Sequence, residues 1–157
     1  MKNLLIIMIL LSVVIMQITI VPFLGIGQIV PNVVLVLSLF WVVFKKFENT
    51  WRWIVVIGLL FDLFSGLPFG VIIISLLLAV YLIDLLNINF FAVKKIWIII
   101  LLTLLGTIIY NISVFLLARF FRVEIVFNFR YLLSEIIYNS VIAIILYYVF
   151  KKIFYKA

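Results

Sequence analysis

The sequence predicts an all-α polytopic membrane protein, six transmembrane helices in a single integral membrane domain over residues 1–157, and three observations carry that prediction. Hydrophobic residues make up 70% of the chain and charged residues 11%, against roughly 45–50% and about 25% in soluble domains. Six apolar runs follow one another, separated by short links that hold the Pro, four of the six Gly and most Lys and Arg residues. Those basic residues come largely as doublets between the runs, as in the cytoplasmic loops of membrane proteins. A soluble fold of this length hides only about 70% of the surface its unfolded chain exposes, so lipid is the natural solvent. This excludes a soluble enzyme, a disordered tail and a nucleic-acid module.

Each run can be placed in order, since about 20 apolar residues in a helix cross the hydrocarbon core. Met1-Lys2-Asn3 followed by Leu4 to Val21 has the layout of a signal peptide, but neither Ala nor Gly occurs before Gly25 to form a cleavage site. It is read as an uncleaved first span ended by Pro22. The uncharged link Pro22 to Pro31 is expected at the membrane surface or under protein cover, because unpaired backbone is costly in lipid. The second span starts near Pro31, a residue suited to a first helical turn, and runs to Phe44, and Lys45 to Arg52 is the first aqueous loop. From Trp53 the chain is apolar to the break Ser65-Gly66-Leu67-Pro68-Phe69-Gly70, then again from Val71 to about Leu86. These two runs make a helical hairpin whose first arm is short, about 14 residues or ~21 Å. Asn87 to Lys95 is a loop, Ile96 to Leu117 the fifth span, Ala118 to Arg130 a basic-aromatic stretch, and Tyr131 to Phe150 the last span.

Six spans place both termini on one side, and the charge bias selects it. Nine basic residues fall on the terminal side (Lys2, Lys45, Lys46, Arg52, Lys94, Lys95, Lys151, Lys152 and Lys156) and three on the other (Arg119, Arg122 and Arg130). Both termini are therefore expected in the cytoplasm. Trp51, Trp53 and Trp97, beside Arg52 and Lys95, read as interfacial anchors.

Ionisable residues inside a membrane are expensive, so each is a functional candidate. Asp84 is expected to reach the cytoplasmic interface in a structural role. Asp62 and Glu135 fall towards the side of the three arginines, where an ion pair would neutralise each, and Asp62 can instead satisfy the exposed amides of the turn that follows it. An acid pair for proton transfer or hydrolysis needs a water-filled site and an opposing polar group. The chain has no His and no Cys, and no Lys falls within a span, so packing or ion pairing is favoured over catalysis. No metal site and no cofactor are expected. Two polar stripes at helical spacing, Thr103, Gly106, Thr107, Tyr110 and Asn111 in the fifth span and Ser134, Glu135, Tyr138 and Asn139 in the sixth, read as interhelical packing faces. Facing each other, they would line a small polar cavity.

The most informative segment is Pro31 to Gly70. Pro31-Asn32 opens a Val/Leu-rich helix, a basic loop follows, and then comes Gly58-Leu-Leu-Phe-Asp62-Leu-Phe-Ser65-Gly66-Leu-Pro68-Phe-Gly70. This pattern resembles MreD, the rod shape-determining membrane protein family of bacteria, and the length, six runs and basic carboxyl end match as well. The resemblance implies a non-enzymatic inner-membrane scaffold subunit of the elongation machinery, the elongasome. It would bind MreC and, through it, RodA with its class B penicillin-binding transpeptidase, and MreB, supporting peptidoglycan synthesis and cell shape. By the same resemblance Pro31, Asn32, Gly58, Asp62, Ser65, Gly66, Pro68 and Gly70 would shape the central hairpin. Membrane lipid is the only other expected partner, and nucleic acid is not one. The Arg119 to Arg130 stretch has no place in the family pattern.

That family is similar in architecture to the S components of energy-coupling-factor transporters, so an S-component-like bundle is expected. A solute-binding S component is the alternative function. S components dock through an Ala-x-x-x-Ala face on the first helix, and Leu4 to Val21 holds neither Ala nor Gly.

Overall fold

The structure, a computed structural model, describes residues 2–25, 29–90 and 95–154. Six α-helices organise them: α1 (Lys2–Thr19), α2 (Val33–Lys45), α3 (Phe47–Asp62), α4 (Val71–Phe90), α5 (Ile96–Phe120) and α6 (Phe129–Phe154). A 3-10 turn, Val21–Leu24, follows α1 and takes Pro22 into its first positions, where a missing N–H costs nothing. Helices α1, α4, α5 and α6 are each long and apolar enough to cross a membrane. The 13 residues of α2 and 16 of α3 reach only ~20 and ~24 Å, less than a hydrocarbon core of about 30 Å.

The shortest helix is the centre of the fold. Helix α2 packs against all five others, which follow one another around it in the order α1, α3, α4, α5, α6. The arc does not close, since among the described residues α1 and α6 make no contact. Val34, Leu35, Val36, Leu39, Phe40, Val42 and Val43 are buried on several sides of α2. Its many β-branched residues are indifferent helix formers, so packing rather than propensity holds it. Ser38, also buried, returns its hydroxyl proton to the Val34 carbonyl at 2.8 Å. In contrast α6 leaves Leu133, Ile137, Val141, Ile145 and Tyr148 exposed at intervals of three or four, and α1 leaves Leu4, Met8, Leu11 and Ile15 exposed, as faces turned to lipid are.

Successive helices run antiparallel. Trp41 of α2 stacks on the half-buried Trp53 of α3 at 6.5 Å and 7° across their hairpin. Trp97 is exposed as anticipated, and Arg52 lies over the exposed Trp51 ring at 5.6 Å. Gln17, Asn32, Asp62, Asn111 and Glu135 gather towards one end of the bundle, and Lys45, Lys46, Asp84, Asn87 and Lys95 towards the other.

Several boundaries differ from those read in the sequence. The expected loop Lys45 to Arg52 shrinks to Lys46 alone, held at φ 63°, and α3 begins at Phe47 because side chains bind its first turn. Asn49 Nδ2 donates to the Lys45 carbonyl and Thr50 Oγ1 to that of Lys46. Pro31 lies outside α2, and Asn32 is the N-cap instead. Helix α4 runs on through Asn87 to Phe90, and α5 and α6 extend into the basic-aromatic stretch from both sides. Residues 26–28 of the first link, and 91–94 of the fourth with Lys94, lie outside the described residues, as does Lys156.

Candidate functional site

Several of the buried polar residues share one task, which is to receive the exposed amides that begin the inner helices. The first amides of any α-helix lack intrahelical acceptors, and in lipid no water is there to supply them. At the α3–α4 turn this falls to Asp62. Gly70, the residue just before α4, has no side chain, and the Asp62 carboxylate takes its place, accepting from Gly70 N at 2.6 Å and from Ile72 N at 3.1 Å. A carboxylate at the positive end of a helix dipole is stabilised there.

The rest of the motif folds the chain back to make this contact. Ser65 Oγ donates to the Asp62 carbonyl at 3.0 Å and accepts from Leu67 N at 3.2 Å. The Pro68 carbonyl accepts from Val71 N. Gly66 and Gly70 sit at φ 69° and 101°, where a Cβ would be strained. Gly58 lets α3 approach α4, since a Cβ there would stand 3.1–3.3 Å from Ile73 atoms. The eight motif residues are thus brought together in two places, six at this turn and crossing and two, Pro31 and Asn32, at the start of α2.

That second place is a network. Asn32 Oδ1 accepts from Leu35 N at 3.0 Å, an N-cap within its own helix. Gln17 of α1 donates to the Pro31 carbonyl at 2.9 Å and accepts from Val33 N at 2.8 Å. Asn139 of α6 accepts from Asn32 N at 2.8 Å and donates to Thr107 Oγ1 of α5 at 3.1 Å. Thr107 passes its own proton to the Thr103 carbonyl. Asn111 Nδ2 donates to the Thr107 carbonyl at 2.9 Å and to Glu135 Oε2 at 3.0 Å. The buried Tyr110 hydroxyl stands against the Asn32 side chain. The two polar stripes therefore do face each other, and they bond directly through Asn111–Glu135 and Thr107–Asn139.

A third cap works at the opposite end. Asp84 Oδ2 accepts from Phe47 N at 3.2 Å, the first amide of α3, while Asn87 Nδ2 donates to the Val43 carbonyl near the end of α2. The second carboxylate oxygen of Asp84 is buried without a hydrogen-bond partner.

Of the two partners open to Asp62 the structure takes the amides of the turn, and the expected ion pairs with arginines are corrected: backbone amides bind Asp62, Asn111 binds Glu135, and among the described residues neither carboxylate forms a salt bridge. Arg119 instead lies over the Phe115 ring at 5.7 Å. The sequence reading also missed Gln17, signalled by a lone amide in an apolar run, and Asn87, which it placed in a loop, whereas Gly106 was read as part of a packing face. A Cβ at Gly106 would stand 2.6 Å from Leu39 Cδ1, so this glycine is where α5 closes on the central helix.

The family described as rod shape-determining protein MreD matches residues 1–157, the whole chain. The chain belongs to the MreD family. No curated protein and no solved structure matches it. MreD is thus a helical membrane protein of rod shape determination, and the caps described above are the interior of one of its members.

Proposed function

We propose that this MreD-family chain is a non-enzymatic scaffold of the bacterial elongation machinery. All six helices cross the cytoplasmic (inner) membrane, with both termini in the cytoplasm. It binds MreC and, through it, RodA, the class B transpeptidase and MreB, and so supports peptidoglycan synthesis. The observation that carries this reading is the use of the buried polar groups: Gln17, Asn32, Asp62, Asp84 and Asn139 each bind the start of a helix. An interior spent on holding helix ends preserves a shape rather than handling a solute. Helices α1 and α6, which do not touch among the described residues, keep apolar faces for a partner's membrane helix. Lys45, Lys46, Arg52 and Lys95 sit at the bundle end shared with the termini, in keeping with a cytoplasmic position.

The test is mild-detergent affinity purification of the tagged chain from its native membrane, with copurifying proteins identified by mass spectrometry. Recovery of MreC or the RodA–transpeptidase pair is expected, and clean deletion is expected to give rounded cells. Recovery of transport ATPases with an energising membrane subunit would overturn the reading in favour of an S component.

A further inference from the structure

Between α5 and α6 the chain runs extended, and its backbone is left unsatisfied. Two anchors bound the segment. On one side Val123 N donates to the Ala118 carbonyl and Arg122 N to that of Arg119, both at 2.9 Å, with Arg122 at φ 61°. On the other Asn128 caps α6, its side chain accepting from Arg130 N at 3.0 Å. From Glu124 to Phe127 the structure gives no hydrogen bond to any amide or carbonyl.

The composition of this stretch is that of a strand. Val123-Glu-Ile-Val-Phe127 is rich in β-branched and aromatic residues, and Val126 is 88% exposed. The segment is tethered on one side, where Phe127 meets the Phe115 ring of α5 at 5.4 Å and Ile125 is half-buried, over a cavity of about 280 Å³ lined by Asn111, Phe115, Ile125, Phe127 and Tyr131, while Glu124 and Val126 face outward. An exposed apolar strand with free amides and carbonyls is a template for another chain.

We propose that residues 124–127 are an open strand edge that receives an extended, carboxylate-bearing segment of another protein by backbone hydrogen bonding. The charge selects this occupant. Arg119, Arg122 and Arg130 flank the edge, Arg119 and Arg122 line a recess along it with Glu124, and among the described residues none of the three forms a salt bridge. A second copy of this chain fits poorly, because antiparallel pairing about Val126 sets Arg122 opposite Arg130 at both ends, and like charges directly opposite destabilise a pair. Lipid headgroups can meet the arginines but cannot pair with a strand's backbone.

The test is hydrogen exchange on the full-length protein in nanodiscs of zwitterionic lipid. The probe is a synthetic peptide of alternating Thr and Val flanked by Asp pairs. Because one strand edge points only every other residue's groups at a partner, exchange should slow by about tenfold or more at alternate amides of 124–127. Protection should vanish for a peptide with Lys in place of Asp, weaken in Arg122→Gln/Arg130→Gln, persist in Val126→Thr and be lost in Ile125→Pro/Phe127→Pro. Absence of protection, or protection without alternation, overturns the proposal. So does equal protection by phosphatidylglycerol in the nanodisc without peptide, which would assign a lipid surface, or by self-association of the protein.

Discussion

Asp62 Oδ2 lies 2.6 Å from the amide nitrogen of Gly70, so the last residue of one membrane helix serves as the cap of the next. Its other oxygen holds Ile72 N. Asp62→Ala would leave two buried amides unpaired at about 1–3 kcal/mol each. A loss of about 2–5 kcal/mol is expected in detergent unfolding followed by Trp fluorescence, with Asp62→Asn, which keeps one acceptor oxygen, losing clearly less. An unchanged midpoint for Asp62→Ala would remove the cap from the account.

The glycines of the turn should separate by mechanism. Nothing lies within 4 Å of where a Cβ at Gly66 would stand, so only its positive φ matters. Gly66→Ala should cost about 1 kcal/mol and Gly66→Asn less, since Asn tolerates the left-handed region. Thermal midpoints of the two variants in detergent measure this directly, and an Asn variant as damaged as the Ala variant would mean that space, not backbone, is limiting.

Gly106 and Leu39 are coupled through contact, since a new Cβ would collide with the Leu39 methyl groups. Gly106→Ala should destabilise by about 1–3 kcal/mol through overpacking. Combined with Leu39→Ala, which empties the same space, the double variant should be more stable than the sum of the two losses by about 1 kcal/mol or more. Simple additivity in the unfolding free energies would show that α5 shifts to make room.

Glu135 differs from the other buried acids in accepting a side-chain amide, from Asn111, where Asp62 and Asp84 accept backbone amides. Glu135→Gln keeps an oxygen for that donor and removes a buried charge. The scaffold reading expects full restoration of rod shape to a deletion strain, with stability unchanged or slightly raised. Rounded cells with normal amounts of inserted Gln variant would instead assign the carboxyl a proton-handling role.

What the sequence made legible was the set of features with a local cause. Apolar runs located the six helices, and Asp62 followed by Ser65, Gly66, Pro68 and Gly70 marked the turn, because glycines at positive φ and a proline act within a few residues. Helical spacing also marked Thr107 with Asn111, and Glu135 with Asn139, as polar packing faces, while leaving open whether the two faces meet. The arrangement of α2 was not legible, since a Val-rich helix looks alike at the centre or the edge of a bundle. For Asp62 the sequence left two partners open, the exposed amides of the turn or an outer arginine, and the amides, being closer along the chain, take it. Gln17 and Asn139 reach Val33 and Asn32 across 16 and 107 residues, and no local pattern encodes such a pairing.

The span from Asn32 to Asn139 also sets a timetable for biosynthesis. The central helix enters the membrane early, but the residue that receives its capping amide is made 107 positions later, about 5–20 s at ordinary rates of synthesis. Until α6 arrives, the nascent chain carries an unmet backbone donor in its middle. A ribosome product ending after α5 is therefore a recognisably unfinished protein, open to membrane proteolysis, and completion of the last helix is the event that closes the assembly.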